Sequence, residues 1–506
     1  MKSTKKLLAL LLSAILLLSL LPAAFATEPE AHVERTYSLT ITATENGREY
    51  ELYQVFKGTL HIEGNTKILS DVVYGASWTN HALGDPVDDT TLQDYEDGTG
   101  KENIDKFLAY KGNPLTKVKA TGMTAMFEGL PAGYYVVLEV GEVTGYAAKS
   151  EHIIQVVGDT SIAAKMDVPT SQKKVKDTND STGATTGWQD SADYDIGDNV
   201  PFQLTATLPE NILRFKGPYA LTFHDEQSEG LTFNSESVRV YLNTVSDADL
   251  ISSSYYEVKT TDLSDTKCTF EIHFDNLKDI TGVTANSQII VEYTSRLNEK
   301  AKIGSEGNPN EMYIKFSNNP NSTEPEENGE TPKDKVIVFT FQLDVFKYDG
   351  TEGANQTNPL EGAEFTLYKV LKDGTEKFVK HLTKDDALDP TGTVKFVYRF
   401  EGLDDGTYKL VETKAPDGYN TAEPVTFEIT ATHDVEKDDP KLLTLNVPAP
   451  FTANDYNIHV DYYNYRGNTL PSTGGMGTTI FYVLGSILAV GAAILLVSKK
   501  RMNGAR

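Results

Sequence analysis

Phe400-Glu401-Gly402-Leu403-Asp404-Asp405-Gly406-Thr407-Tyr408-Lys409-Leu410-Val411-Glu412-Thr413-Lys414-Ala415-Pro416-Asp417-Gly418-Tyr419 opens with a phrase that occurs earlier in the chain, at Phe127-Glu128-Gly129-Leu130. The earlier copy runs on through Pro131-Ala132-Gly133-Tyr134-Tyr135-Val136-Val137 and reads as a strand–turn–strand unit. The regions around the two phrases are therefore distant copies of one β-sandwich. Upstream of the first copy, Tyr37 to Thr42 alternates as a strand, and Tyr50 to Phe56 follows the hairpin signal Asn46-Gly47. A helix is expected near 100–110.

Tyr, Phe, Thr and Val are abundant, long amphipathic patterns are few, and turn residues recur every ten or so positions. The fold class that follows is all-β, a tandem array of immunoglobulin-like sandwiches. Three modules are expected, at 28–164, 167–320 and 333–466. The polar stretch 321–332 between the last two has almost nothing to bury and reads as a linker. Strands of the middle module are expected at Pro201–Thr207, Tyr219–His224, Ser237–Leu242, Cys268–Phe274, Gln288–Ser295 and Met312–Phe316. Cys268 is the sole cysteine, so no intramolecular disulfide can form. The 46 Lys and Arg residues against 73 Asp and Glu give a net charge of −27. Acidity of that size disfavours nucleic acid as a partner, because phosphate binding needs clustered positive charge.

Both ends carry export signals. Lys2, Lys5 and Lys6 precede an apolar stretch from Leu7 to Leu21, and Ala24-Phe25-Ala26 offers small residues for a signal peptidase, so residues 1–26 read as a secretory signal. At the other end Leu470-Pro471-Ser472-Thr473-Gly474 precedes an apolar run over 478–497 and a basic tail over 498–506. Twenty residues at the helical rise reach about 30 Å, enough to cross a bilayer core, with the Lys/Arg cluster held on the cytoplasmic side. Motif, span and tail in that order resemble the sorting signal of Gram-positive surface proteins. The resemblance implies a sortase that cuts between Thr473 and Gly474 and joins the Thr473 carbonyl to an amine. The mature chain would run from Thr27 to Thr473. It would have shed seven basic residues and no acidic one, for a net charge of −34.

Leu410-Val411-Glu412-Thr413-Lys414-Ala415-Pro416-Asp417-Gly418-Tyr419 resembles the E-box of Cna B-type domains, and the middle module resembles that of sortase-assembled SpaA-type pilins. With both export signals, the resemblance covers nearly the whole chain and is to a major, or backbone, pilin subunit. It implies autocatalytic Lys–Asn isopeptide bonds. Phe341, Leu343, Val345 and Lys347 share one face of a strand, as do Ile458, Val460, Tyr462 and Asn464, while Glu412 faces inward with Leu410. A buried Lys amine loses hydration and tends toward the neutral nucleophile, and a buried carboxyl can carry a proton. Lys347 would attack the Asn464 side chain with Glu412 shuttling protons. In the middle module Lys173 faces inward with Val175. The resemblance implies Asn310 as its partner, with Asn318 the second choice, and Asp225 is the favoured carboxylate.

Polymerisation needs an amine donor, which in the family is a Lys between the first two domains in a Tyr-Pro-Lys setting. Lys165 stands at that place, although Ala163 and Ala164 replace Tyr and Pro; Lys149 is a poorer candidate. The implied partners are a class C sortase, neighbouring pilin subunits and peptidoglycan, with a host ligand left open. The implied location is the cell wall. The first module's opening strand contains no Lys, so that module is expected to lack a cross-link. No nucleophile-elbow, HExxH or P-loop motif occurs, Cys268 has no identifiable His partner, and no enzyme activity or cofactor is expected. The acidic clusters 85–89, 385–386 and 434–439 read as solvated loops rather than metal sites. A monomeric wall-anchored adhesin, or a minor pilin at base or tip, is the alternative role.

Overall fold

A computed structural model of the chain describes residues 35–63, 66–165, 167–351, 358–454 and 457–467. The signal segment 1–26, the sorting motif 470–474, the apolar run 478–497 and the tail lie outside the described residues. Among the described residues no helix is long and apolar enough to cross a membrane. The chain forms two compact units. Among the described residues, one holds 35–142 and 149–165, the other 143–148 and 167–467.

The first unit pairs a three-stranded sheet with a five-stranded one. Strand Thr36–Thr42 lies between Thr124–Pro131, antiparallel, and Thr160–Ala163, parallel. Leu39, Ile41, Phe127, Tyr135 and Val137 fill the space between the sheets. A second cluster, built on Phe56, Tyr74, Ile104 and Phe107, packs helix Gly100–Leu108 onto the larger sheet. That helix starts with a capping box: Thr99 and Glu102 each bond the other's backbone N–H.

The second unit contains two sandwiches. In the first, strands Leu231–Leu242, Gln288–Leu297, Asn199–Thr207 and Thr170–Val175 form one sheet, in that order. The facing sheet runs Ser191–Asp193, Asp334–Phe339, Asn308–Phe316, Leu221–Gln227, Phe270–Phe274, Glu257–Lys259. In the second sandwich, Phe341–Asp349 lies between Val397–Leu403 and the last long strand, Asn457–Asn464, to which it is parallel. Glu364–Val370 and Gly406–Lys414 are central in the opposing sheet.

Local chemistry explains the repeated phrase. Gly129 and Gly402 have φ of +71° and +81° and fall where strand register slips by a residue, so each marks a β-bulge that favours glycine.

Residues 321–332 differ from a free linker. Gly329 and Glu330 pair with Phe316 and Lys315, and the buried Thr331 hydroxyl accepts from Ile314 N at 3.0 Å. The boundary expected at 333 also moves. Asp334–Phe339 belongs to the middle sheet, with Val336 and Val338 in that sandwich's core and Ile337 and Phe339 in the next one's. Consecutive apolar residues serve both cores because a strand points successive side chains to opposite faces. Residues 143–148, expected within the first module, belong to the second unit.

Candidate cross-linking sites

In the middle sandwich, Lys173 and Tyr293 come from one sheet and Asp225 and Asn310 from the other. All four are buried. The Lys173 amine contacts Asp225 Oδ2 directly and lies 3.0 Å from the Tyr293 hydroxyl. That hydroxyl donates to Asp225 Oδ2 at 2.9 Å and accepts from Asn310 Nδ2 at 2.9 Å. Burial pushes the Lys173 amine down against the opposing pull of Asp225, and it pushes the Asp225 carboxyl up. Both shifts favour a neutral amine beside a neutral acid. Asn310 Oδ1 and Asp225 Oδ1 have no hydrogen-bond partner. Asn318 lies elsewhere, donating to the carbonyls of Val143 at 2.6 Å and Ala147 at 3.2 Å.

In the third sandwich, Lys347 and Asn464 stand on the parallel first and last strands, with Lys347 opposite Tyr462 and Asp349 opposite Asn464. Glu412 reaches both from the facing sheet. Its Oε1 is 3.7 Å from Lys347 Nζ, and its Oε2 accepts from Asn464 Nδ2 at 2.8 Å and from Ala422 N at 2.8 Å. Lys347 also donates to the Tyr462 carbonyl at 3.1 Å. Burial lowers its pKa to about 8, although Glu412 pulls the other way. Asn464 Oδ1 is buried without a partner.

A third buried lysine was not singled out by the sequence reading. Lys369 donates to Asp404 Oδ2 at 2.8 Å and Asp195 Oδ2 at 2.9 Å, and Tyr408 completes the cluster by donating to Asp195 Oδ1 at 2.9 Å. Burial opposes its charge, but the two aspartates outweigh burial and raise its pKa. Phe365, Leu367 and Lys369 alternate as Leu343, Val345 and Lys347 do, so the signal was present. Tyr293 carried no comparable signal.

Lys165 is exposed just beyond strand Thr160–Ala163, and Lys149 is half-buried. Leu470, Pro471, Ser472, Thr473 and Gly474 fall outside the described residues. Cys268 does meet a histidine: its Sγ is 3.8 Å from His224 Nδ1. Glu271 sits 3.2 Å from that same nitrogen, so it cannot orient the ring through the opposite one as a catalytic triad requires. Burial pushes the thiol up to about 12 and the imidazole down to about 4, leaving both unactivated.

Residues 346–441 match the SpaA family, a prealbumin-like fold domain, and residues 464–504 match the LPXTG cell wall anchor motif. The trypsin-resistant surface T6 protein of Streptococcus pyogenes serotype M6 is 24% identical over 554 residues, covering 92% of this chain and 95% of that one. Fimbrial subunit type 1 of Actinomyces viscosus is 25% identical over 196 residues, 34% of each chain. The solved three-domain T6 backbone pilin of serotype M6 Streptococcus pyogenes shares the fold, with a TM-score of 0.51 at 21% identity, covering 86% of this chain and 99% of that one. The anchor motif makes the chain a cell wall-anchored surface protein. The chain thus carries a SpaA-type prealbumin-like domain and an LPXTG cell wall anchor motif, on a fold similar to that of the T6 backbone pilin.

Proposed function

We propose that the chain is a fimbrial shaft subunit whose second unit is braced by two self-formed amide bonds, Lys347–Asn464 and Lys173–Asn310. The observation that carries this reading is the pair of buried lysines, each within hydrogen-bonding or ion-pair reach of a carboxyl that also engages an asparagine, directly or through one hydroxyl. The amine nitrogen attacks the asparagine Cγ, the new C–N bond forms, the old one breaks, and ammonia leaves. Glu412 already holds the departing Asn464 nitrogen, so it can return to that nitrogen the proton taken from the amine. In the middle sandwich the relay from Asp225 to Asn310 passes through the Tyr293 hydroxyl.

Lys347 and Asn464 belong to adjacent parallel strands near the two ends of one sandwich, so their bond would let tension bypass the sheet's hydrogen bonds. A class C sortase would join Thr473 of one subunit to the exposed Lys165 of the next, and the terminal subunit to peptidoglycan. Intact-mass measurement of the secreted chain tests the bracing. Two losses of about 17 Da each are expected, one abolished by Glu412→Ala and the other by Asp225→Ala. A mass equal to the sequence mass defeats the bracing. An SDS-resistant ladder from the wall that collapses on Lys165→Ala supports the shaft role, whereas a single monomer band would assign the chain to the monomeric adhesins.

A further inference from the structure

Where the middle sandwich meets the third, carboxylates gather, among them Asp177, Asp193, Asp195, Asp404 and Asp405. Asp195 and Asp404 are matched by Lys369, and Asp405 Oδ1 accepts from Asn179 Nδ2 at 2.6 Å. Asp193 also borders Asp404 and Asp405, and together with Asp177 it faces His433, the donor atoms of Asp177, Asp193 and His433 lying within 4.8 Å of one another. Asp193 is 1% exposed and its Oδ1 has no hydrogen-bond partner; Asp177 Oδ1 is likewise buried and unpartnered. A buried carboxylate left in that condition is costly, and a cation relieves it.

The histidine is oriented for ligation. The Ser191 hydroxyl gives its proton to the Asp434 carbonyl, so its oxygen accepts from His433 Nδ1–H at 2.6 Å. That fixes the ring so that Nε2 faces Asp177, 3.5 Å from Oδ2. A metal-bound histidine characteristically donates its other N–H to an oxygen in this way. Ligands about 2.0–2.1 Å from a tetrahedral zinc ion stand about 3.3–3.5 Å apart, close to the observed separation. Calcium prefers six to eight oxygens, so a set of two carboxylates and one imidazole suits zinc-class ions better.

We propose that Asp177, Asp193 and His433 bind one zinc-class divalent cation, with water completing the coordination. Asp177 and Asp193 belong to the middle sandwich and His433 ends strand Val425–His433 of the third, so the ion ties the two together. The site stands apart from both lysine–asparagine clusters.

The test is titration calorimetry of the purified, tag-free, chelator-stripped chain with Zn²⁺, Ca²⁺ and Mg²⁺ in separate arms. One Zn²⁺ per chain is expected, weakened at least tenfold by the near-isosteric Asp193→Asn and by His433→Gln, and weakened about tenfold or more by Ser191→Ala, which touches only the orientation of the ring. Circular dichroism establishes that each variant is folded. Absence of Zn²⁺ binding at about 100 μM overturns the proposal. So does binding that survives both ligand variants but vanishes in Cys268→Ser, which would move the ion to the His224–Cys268–Glu271 cluster. Binding of Ca²⁺ in preference to Zn²⁺ overturns the assignment of the donor set.

Discussion

Lys347 and Lys369 occupy the same kind of position, the inward face of a strand, fully buried, yet their surroundings set them on opposite courses. Lys347 has a single carboxylate at 3.7 Å, so desolvation wins and its pKa falls to about 8. Lys369 is gripped by two carboxylates at 2.8 and 2.9 Å, so charge pairing wins and the ammonium persists. A protonated amine has no lone pair to attack with, and no asparagine stands beside Lys369 among its hydrogen-bond partners, so no third ammonia loss is expected. The Lys347 shift has a measurable consequence in an Asn464→Ala chain, where the bond cannot form. Between about 8 and the ordinary lysine value of 10.5, the unfolded chain holds a proton that the folded chain lacks. Stability should therefore rise with pH across that window, by up to roughly 3 kcal/mol, relative to a Lys347→Met/Asn464→Ala chain. Urea midpoints at pH 7 and pH 10.5 that differ equally in the two chains would show that the amine is not depressed. Strand alternation makes a buried lysine legible in sequence, as it did for Lys347 and Lys173. It does not report the counter-charges, which arrive from strands distant along the chain. Tyr293 was hidden for the same reason: an inward tyrosine on a strand looks like core until Lys173, Asp225 and Asn310 close around its hydroxyl. Tyr293→Phe should slow loss of ammonia from the middle sandwich while leaving the Lys347–Asn464 loss intact, as mass spectra taken at intervals after refolding from denaturant would show.

Strand Asp334–Phe339 shows what element-level reading caught and what it missed. Phe341–Asp349 and Asn457–Asn464 alternate cleanly, and their faces followed from the sequence alone. Val336-Ile337-Val338-Phe339 is apolar throughout, a pattern that fits a strand covered on both sides but does not say by what. Here the covers are two different cores. The bulge glycine of the repeated phrase reinforces the same junction. A Cβ on Gly402 would lie 2.5 Å from Ile196, whereas one on Gly129 would meet nothing within 4 Å. Gly402 O also accepts from Ile196 N at 3.0 Å. Gly402→Ala thus combines a positive φ with a steric clash, while Gly129→Ala suffers the backbone strain alone. The expected cost is about 2–4 kcal/mol at Gly402 and about 1–2 kcal/mol at Gly129, measured by calorimetric unfolding of the transitions belonging to each unit. Equal costs would mean that Ile196 moves aside freely.

At the scale of the whole molecule, the distribution of buried cations separates the two units. Among the described residues of the first unit no lysine is buried, and the buried cation is Arg48, beside Glu45 and Glu139. A guanidinium stays protonated and cannot act as the nucleophile. Among its described residues the first unit thus offers no buried lysine, whereas the second unit has both lysine–carboxylate–asparagine sets. The difference fits the chain order of the proposed linkages. A covalent path from Lys165 to Thr473 runs through the second unit's residues and leaves the first unit's sandwich unloaded. Closing a loop of about 100 residues, as the Lys347–Asn464 bond would, stabilises the folded state by roughly 4–5 kcal/mol in the chain-entropy account. The first unit gains nothing comparable and exposes Lys67, Lys117 and Lys119 on its surface. Trypsin should accordingly cut first within the first unit, at sites such as Lys67, Lys117 and Lys119, and leave a resistant core fragment that begins near residue 167. In Glu412→Ala that fragment should itself shorten, as its third sandwich becomes cleavable. Digestion followed by gel electrophoresis and mass spectrometry distinguishes the outcomes, and a first unit that outlasts the second would break the link between buried lysine, cross-link and durability.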